Sequence, residues 1–319
     1  MSGLEMMCLA IAALALVVGL GVLVWRTASR FIWAGAGSGL RDPEPADFAS
    51  AAAFSVVTDD AVRIAGLTIH PDRPACGVVV LCHAWGLRKE RFYHHARWLT
   101  EHGLVVVAFD FRHCGESGRP ARLWPEPLDH GLRDLEAVLV HVHAHVPEVS
   151  RGLSLMGFSY GGNVIIAHAG FSTTRYRALI LDSTPLMPYQ SYISSYLRMA
   201  RARSSMRVVR QIADWLAVGL VTALLRGNRF FERAIASCAR LGHTPLLYVV
   251  GDKDPYFPPD EACDFVDRYY AGPREIFRVP RGRHLTNHLA AGAEYQQRVL
   301  ARLVDDPRPI ERGTERGTG

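Results

Sequence analysis

The chain has 319 residues, a net charge of +5 and 49% hydrophobic against 21% charged residues. That usage is globular, and it sets aside disorder, collagen-like and low-complexity classes. The length suits one α/β domain with additions, and no repeat of solenoid or propeller period occurs.

The positive charge is nearly all arginine, with lysine only at Lys89 and Lys253. Scattered arginine without a basic stripe or a recognisable module gives no reason to expect a nucleic-acid partner. The six cysteines (Cys8, Cys76, Cys82, Cys114, Cys238 and Cys263) form no CxxC pair or regular spacing. Neither a zinc site nor a disulfide framework is expected from them, and reduced, mostly buried thiols fit a cytosolic setting.

Residues 1–30 are expected to be a transmembrane anchor. Met6 to Trp25 is twenty residues without a charge, long enough to cross a hydrocarbon core of ~30 Å as a helix. A cleaved signal peptide would have a basic start and a shorter apolar core, whereas Glu5 precedes this run and Arg26, Arg30 and Arg41 follow it. The positive-inside rule then places the remainder in the cytoplasm. Residues 31–50, small, Gly/Pro-rich and polar, read as a linker.

From 51 to 305 strand and helix signals alternate. Two short strands with a turn at Asp59-Asp60 are expected between Phe54 and Ile69. β-Branched or apolar runs follow at Gly77–Cys82, Leu104–Phe109, Leu153–Met156, Ala178–Leu181, Pro245–Val250 and Glu275–Val279. Helical patterns lie near 89–102, 129–146, 160–170, 258–271 and 285–304. Alternation of this kind predicts right-handed βαβ crossovers and a mostly parallel sheet covered on both faces. Residues 306–319, polar and Gly-rich, read as a flexible tail.

Chemistry is expected at the strand ends. Gly157-Phe158-Ser159-Tyr160-Gly161 is a G-x-S-x-G segment between a strand and a helix, the setting of a nucleophile elbow. A serine nucleophile needs a base, and the base an orienting carboxylate. Asp252 and Asp254 follow one late strand, and either serves as the acid. His284 follows the last strand, with His288 a weaker choice one helical turn on. The loop His83-Ala84-Trp85-Gly86 follows an early strand, where a second oxyanion donor is expected. The Trp85 and Tyr160 backbone N–H groups are the candidates.

Four segments in this order resemble the α/β-hydrolase superfamily, especially its serine-hydrolase branch of esterases, lipases and acyl-aminopeptidase-like proteins. They are residues 83–86, Asp110-Phe111-Arg112-His113-Cys114-Gly115-Glu116-Ser117, the elbow, and the loops 251–255 and 280–284. The resemblance covers residues 54–304. It implies Asp254 over Asp252 as the acid, His284 as the base, and a structural role for 110–117. Two positions depart from the family pattern: Ala84 stands where glycine is usual, and so does His113.

Residues 185–240 separate two strands and carry nine arginines, at 198, 201, 203, 207, 210, 226, 229, 233 and 240, against Asp214 and Glu232. They read as a helical cap that builds the acyl pocket, and its basic, apolar make-up fits either a solvated arginine face over a buried helix or a surface that lies on anionic lipid. His94 and His95 read as helix surface. His141, His143 and His145 alternate along a helix and so are not expected to share a face or hold a metal.

The expectation is a membrane-anchored serine hydrolase that cleaves an ester-type acyl bond through an acyl-enzyme on Ser159. It needs no cofactor or metal, and its substrate is a small acyl ester or lipid. Thioester or peptide cleavage by the same triad, and a non-catalytic membrane-tethered module, are the alternatives. Oligomeric state is not legible.

Overall fold

The computed structural model describes residues 50–119, 127–188 and 227–304, with a few single positions outside these stretches. The expected anchor and linker, most of the expected cap and the tail 306–319 lie outside the described residues. Among the described residues no helix is long and apolar enough to cross a membrane.

One eight-stranded sheet organises the chain, in the order β1-β2-β4-β3-β5-β6-β7-β8. The strands are β1 (Ala51–Val57), β2 (Arg63–Ile69), β3 (Gly77–Cys82), β4 (Leu104–Phe109), β5 (Leu153–Phe158), β6 (Leu179–Asp182), β7 (Leu246–Gly251) and β8 (Arg274–Val279). β2 runs antiparallel to β1 and β4, and the other neighbours are parallel. The β1–β2 turn is the expected Asp59-Asp60 site. There the Thr58 hydroxyl donates to Asp60 at 2.6 Å and accepts from the Val62 N–H at 3.0 Å, the local bonding that suits a polar residue to a turn.

The helices are α1 (Tyr93–Glu101), α2 (Pro127–His145), α3 (Tyr160–Ala169), α4 (Gly227–Cys238), α5 (Pro259–Tyr269), α6 (Asn287–Ala291) and α7 (Ala293–Leu303). The pattern at 89–102 thus divides into a tight 3-10 turn, Lys89–Phe92, and α1. The one expected at 285–304 breaks at Gly292, whose φ of 55° takes the chain out of the helical region.

Period-two alternation sends side chains of each strand into two cores. In β3, Val78, Val80 and Cys82 join one core with Leu135 and Val142 of α2 and Ile165 of α3, while Val79 and Leu81 join the other with Leu99 of α1 and Val299 of α7. Burial on both faces explains the unbroken apolar runs. Helix α4 lies at the end of the stretch read as a cap, yet it packs into the first core through Ala234 and Cys238. Its Ser237 hydroxyl accepts from the Gly170 N–H at 2.7 Å. This part of 185–240 therefore belongs to the α/β body. Residues 189–226, apart from single positions, lie outside the described residues.

The parallel strands aim their carboxyl ends at one edge. Loops after β3, β5, β6, β7 and β8 meet there, as open α/β sheets require of a site.

Candidate active site

Ser159 stands between β5 and α3 with φ 50° and ψ −113°. A non-glycine residue so placed is strained by about 1–3 kcal/mol, a conformation kept only where its surroundings hold it. The turn is tight enough to dictate its neighbours. A Cβ at Gly157 would lie 2.5 Å from the Gly162 nitrogen, and one at Gly161 would run into the Cys82 carbonyl. The second contact shows that the elbow sits directly against the end of β3. Trp85, in the loop that follows, packs its ring edge-on against Tyr160 at 4.9 Å. The two candidate oxyanion residues are therefore neighbours.

The loops after β7 and β8 supply the rest. His284 Nε2 lies 3.0 Å from Ser159 Oγ, and His284 Nδ1 lies 2.7 Å from Asp254 Oδ2. The Asp254 side chain is fully shielded from solvent, and its other oxygen, Oδ1, accepts from the Tyr256 N–H at 2.9 Å. The Tyr256 ring packs against the imidazole at 4.5 Å. Hydroxyl, imidazole and carboxylate thus form a continuous relay. Their neighbours in sequence do not: Asp252 pairs with Arg278 at 2.7 Å, and His288 lies among His94 and His95.

His83 anchors the loop that carries Trp85. It is buried; its Nε2 accepts from the Phe111 N–H at 2.9 Å, and its Nδ1 lies 2.7 Å from the Ala84 carbonyl. An N–H donor at Nε2 requires the proton on Nδ1, so the ring is neutral. Burial also pushes its pKa down.

Residues 110–117 lie below. Fully buried Asp110 accepts from the Lys89 N–H at 2.8 Å, the Lys89 ammonium at 2.8 Å and the Glu116 N–H at 3.0 Å. Burial works against the charge, but the Lys89 bonds outweigh it and hold the carboxyl below the usual range. Arg112 joins Asp134 at 2.7 Å and Asp60 at 2.6 Å. This is the structural role the family resemblance implied. His113 has φ 68°, the left-handed region in which a glycine is ordinarily found.

One supporting residue was absent from the sequence reading. Asp182, fully buried at the end of β6, takes its Ser183 hydroxyl at 2.9 Å, Asn287 Nδ2 at 2.7 Å and the Tyr295 hydroxyl at 2.7 Å. Its backbone carbonyl accepts the Ser159 N–H at 2.9 Å. The Ser183 hydroxyl in turn accepts from the Leu285 N–H at 3.0 Å, and both residues have left-handed φ, 53° and 60°. Asp182 therefore fastens the His284 loop to the elbow. Burial raises its pKa, against the pull of its neutral donors. The available signal was an acid closing an apolar strand, Leu179–Asp182, where a carboxylate is out of place unless it is fully bonded.

Comparison with known proteins agrees with this fold. The family described as "Serine aminopeptidase, S33" matches residues 73–229. A monoacylglycerol lipase of Mycolicibacterium smegmatis is 27% identical over 65% of this chain and 80% of its own. Among solved structures, an esterase of Pyrococcus furiosus superposes with a TM-score of 0.66 at 19% identity, covering 83% of this chain and 95% of that one. The chain has the α/β-hydrolase fold, and these likenesses support a serine hydrolase. A bacterial membrane phospholipase A has the same fold, with a TM-score of 0.56 at 18% identity over 93% of this α/β-hydrolase and 96% of its own chain.

Two expectations about histidines change. His95 is buried and not on the surface. His141 and His145 do share a face, with rings stacked at 4.5 Å, because residues four apart on a helix are neighbours.

Proposed function

We propose that this α/β-hydrolase is a membrane-anchored carboxylic ester hydrolase that works through an acyl-enzyme on Ser159. The observation that carries the proposal is the relay from Ser159 Oγ through His284 to Asp254, at 3.0 and 2.7 Å.

Ser159 Oγ attacks the ester carbonyl while His284 Nε2 takes its proton. Asp254 keeps the proton on Nδ1 and stabilises the imidazolium. The Trp85 and Tyr160 N–H groups hold the oxyanion; donors of this kind contribute about 3–4 kcal/mol each to the transition state. His284 returns the proton to the departing alkoxide, and water then releases the acid by the same route. No step calls for a metal or an organic cofactor.

An acylglycerol-like ester is the preferred substrate class, since the chain resembles a monoacylglycerol lipase of M. smegmatis and residues 185–240 are apolar and arginine-rich. The anchor at 6–25, with Arg26, Arg30 and Arg41 after it, would hold the enzyme at a cytoplasmic membrane face. The residues after 188 would cap the site and admit a lipid tail.

Fluorophosphonate labelling of membrane and soluble fractions tests this. Wild type takes label in the membrane fraction, while Ser159→Ala and His284→Ala do not. A panel of acyl esters, thioesters and aminoacyl amides then follows the label. Folded wild type that takes no label overturns the enzyme reading, and label in the soluble fraction alone overturns the anchor. Faster amide than ester turnover overturns the substrate class.

A further inference from the structure

Apart from the relay, three imidazoles converge between α1 and α6. One ring nitrogen each of His94, His95 and His288 lies within 4.8 Å of the other two. Ring centroids are 4.0 Å apart for His94 and His95, 4.3 Å for His94 and His288, and 4.8 Å for His95 and His288. His94 Nε2, His95 Nδ1 and His288 Nδ1 are all buried, and none has a hydrogen-bond partner among the described residues. Buried polar atoms are nearly always satisfied, so three orphaned ring nitrogens in one cluster point to a ligand that takes all three.

The surroundings prepare these rings to coordinate. His95 is 1% exposed, and its Nε2 lies 3.4 Å from the Tyr295 hydroxyl. That hydroxyl donates its own proton to Asp182 at 2.7 Å, so toward His95 it acts as acceptor. The His95 proton therefore sits on Nε2, and Nδ1 is a bare lone pair. A carboxylate that reaches a ligating histidine through its far nitrogen is the usual support of a metal site; here a tyrosine hydroxyl stands between them. Burial is the main force keeping the rings neutral, the ligating form, and it pushes His94 down to about 4, His288 to about 3 and His95 well below the ordinary value.

We propose that His94, His95 and His288 bind a divalent cation of the zinc class. Three imidazoles with no carboxylate suit zinc, cobalt, nickel or copper over magnesium or calcium. Metal–nitrogen bonds of about 2.0–2.1 Å put tetrahedral ligand atoms roughly 3.3 Å apart, so side-chain rotation closes the present spacing. The other group of candidate ligands among the described residues differs. Glu90, Asp110 and Glu116 surround the Lys89 ammonium at 2.9, 2.8 and 2.7 Å, and that ammonium is already their cation.

The ion would tie α1 to the segment that carries His284, because His288 stands four residues after the base, in the first turn of α6. Asp182 would supply the compensating negative charge through Tyr295. Arg91 opposes it, since its charge also depresses His94 and His288.

The test uses the full chain in detergent, stripped with chelator and titrated with Co2+ and with Zn2+. Calorimetry, cobalt visible absorption and thermal melting are the readouts. Wild type is expected to take one equivalent at micromolar or tighter affinity, to develop cobalt bands from nitrogen ligation, and to melt higher with Zn2+. His94→Ala and His288→Ala, partly exposed positions checked for folding by circular dichroism, lose at least tenfold in affinity and all of the melting shift. Arg91→Gln tightens binding. His141→Ala, which removes the stacked surface pair, leaves it unchanged. The proposal is overturned if wild type takes up no metal, or if His94→Ala and His288→Ala bind it as wild type does.

Discussion

Replacing Asp254 with asparagine tests the relay at its most buried point. The carboxylate uses two oxygens for two donors: Oδ2 faces His284 Nδ1 at 2.7 Å and Oδ1 takes the Tyr256 N–H at 2.9 Å. Asparagine keeps one oxygen and brings an NH2 group. The Tyr256 N–H can only donate, so the amide oxygen must turn to it or leave two N–H groups opposed in a site without solvent, at a cost of about 1–3 kcal/mol. The amide NH2 then faces His284 Nδ1, which becomes an acceptor. The imidazole proton moves to Nε2 and points at Ser159 Oγ, so the base is already protonated at the atom that must accept. A wrong tautomer costs roughly 10⁴-fold in kcat, about 5.4 kcal/mol at 1.36 kcal/mol per decade. Stopped-flow acylation by an activated acyl ester, with labelling rate as a second readout, measures it. KM and the melting temperature should move little, because shape is kept. Asp252→Asn is the control: it loses only an exposed pair with Arg278 and should retain activity within about twofold. A loss of under tenfold in Asp254→Asn, or an equal loss in Asp252→Asn, refutes the tautomer argument.

Three further outcomes follow from the same geometry. Gly161→Ala places a methyl against the Cys82 carbonyl, backbone that cannot swing aside; labelling should vanish and stability fall by about 1–3 kcal/mol or more, whereas Gly242→Ala, with nothing within 4 Å, should do neither. Lys89→Ala leaves Asp110 charged, fully buried and short of its cation, which should cost about 3–5 kcal/mol and lower Tm by roughly 10 °C; a smaller drop in denaturant midpoint or Tm would show that Asp110 takes up a proton instead. His168 is buried against the Tyr176 hydroxyl at 2.9 Å, and burial, then Arg233, pushes it down to about 4, despite the exposed Glu136 carboxylate 3.6 Å away. Its folded pKa lies below the unfolded value of about 6.5, so its stabilisation is full above pH 6.5 and is lost as pH falls toward 4. Urea unfolding at pH 7 and pH 5 should show about 2 kcal/mol more loss in wild type than in His168→Gln.

The sequence made part of this site legible for a physical reason. Ser159, Asp254 and His284 each sit at the end of a strand whose apolar run is readable, and the sheet brings such ends together whatever the intervening loops do. The choice between Asp252 and Asp254 was different. Both close the same strand, and only the family resemblance favoured one; the structure separates them through Tyr256 N–H and Arg278, contacts that no local pattern encodes. His95 was misread because one helix can bury two stripes. On α1, Ala96 and Leu99 face the second core, and His95 lies beside them against Phe158 at 4.7 Å. Asp182 escaped notice because its partners Asn287 and Tyr295 lie more than a hundred residues away.

Asp182 is also where the two halves of the chemistry meet. Its carbonyl holds the Ser159 N–H, its Oδ1 holds the Asn287 side chain beyond the base, and its Oδ2 holds Tyr295, which faces His95. A relay that works over 3.0 and 2.7 Å tolerates little drift, since catalytic groups must stay within about 0.5 Å of their working positions. His284 lies on a loop, the least rigid kind of support, and its neighbour Leu285 is held at a strained φ of 60°. Such strain persists only where surrounding bonds fix it, and here they run through Ser183 and Asn287 to one buried carboxylate. The charge on Asp182 therefore matters beyond its own hydrogen bonds. Anything that favours its ionised form, a cation on His95 included, strengthens the bonds that keep the base over the serine.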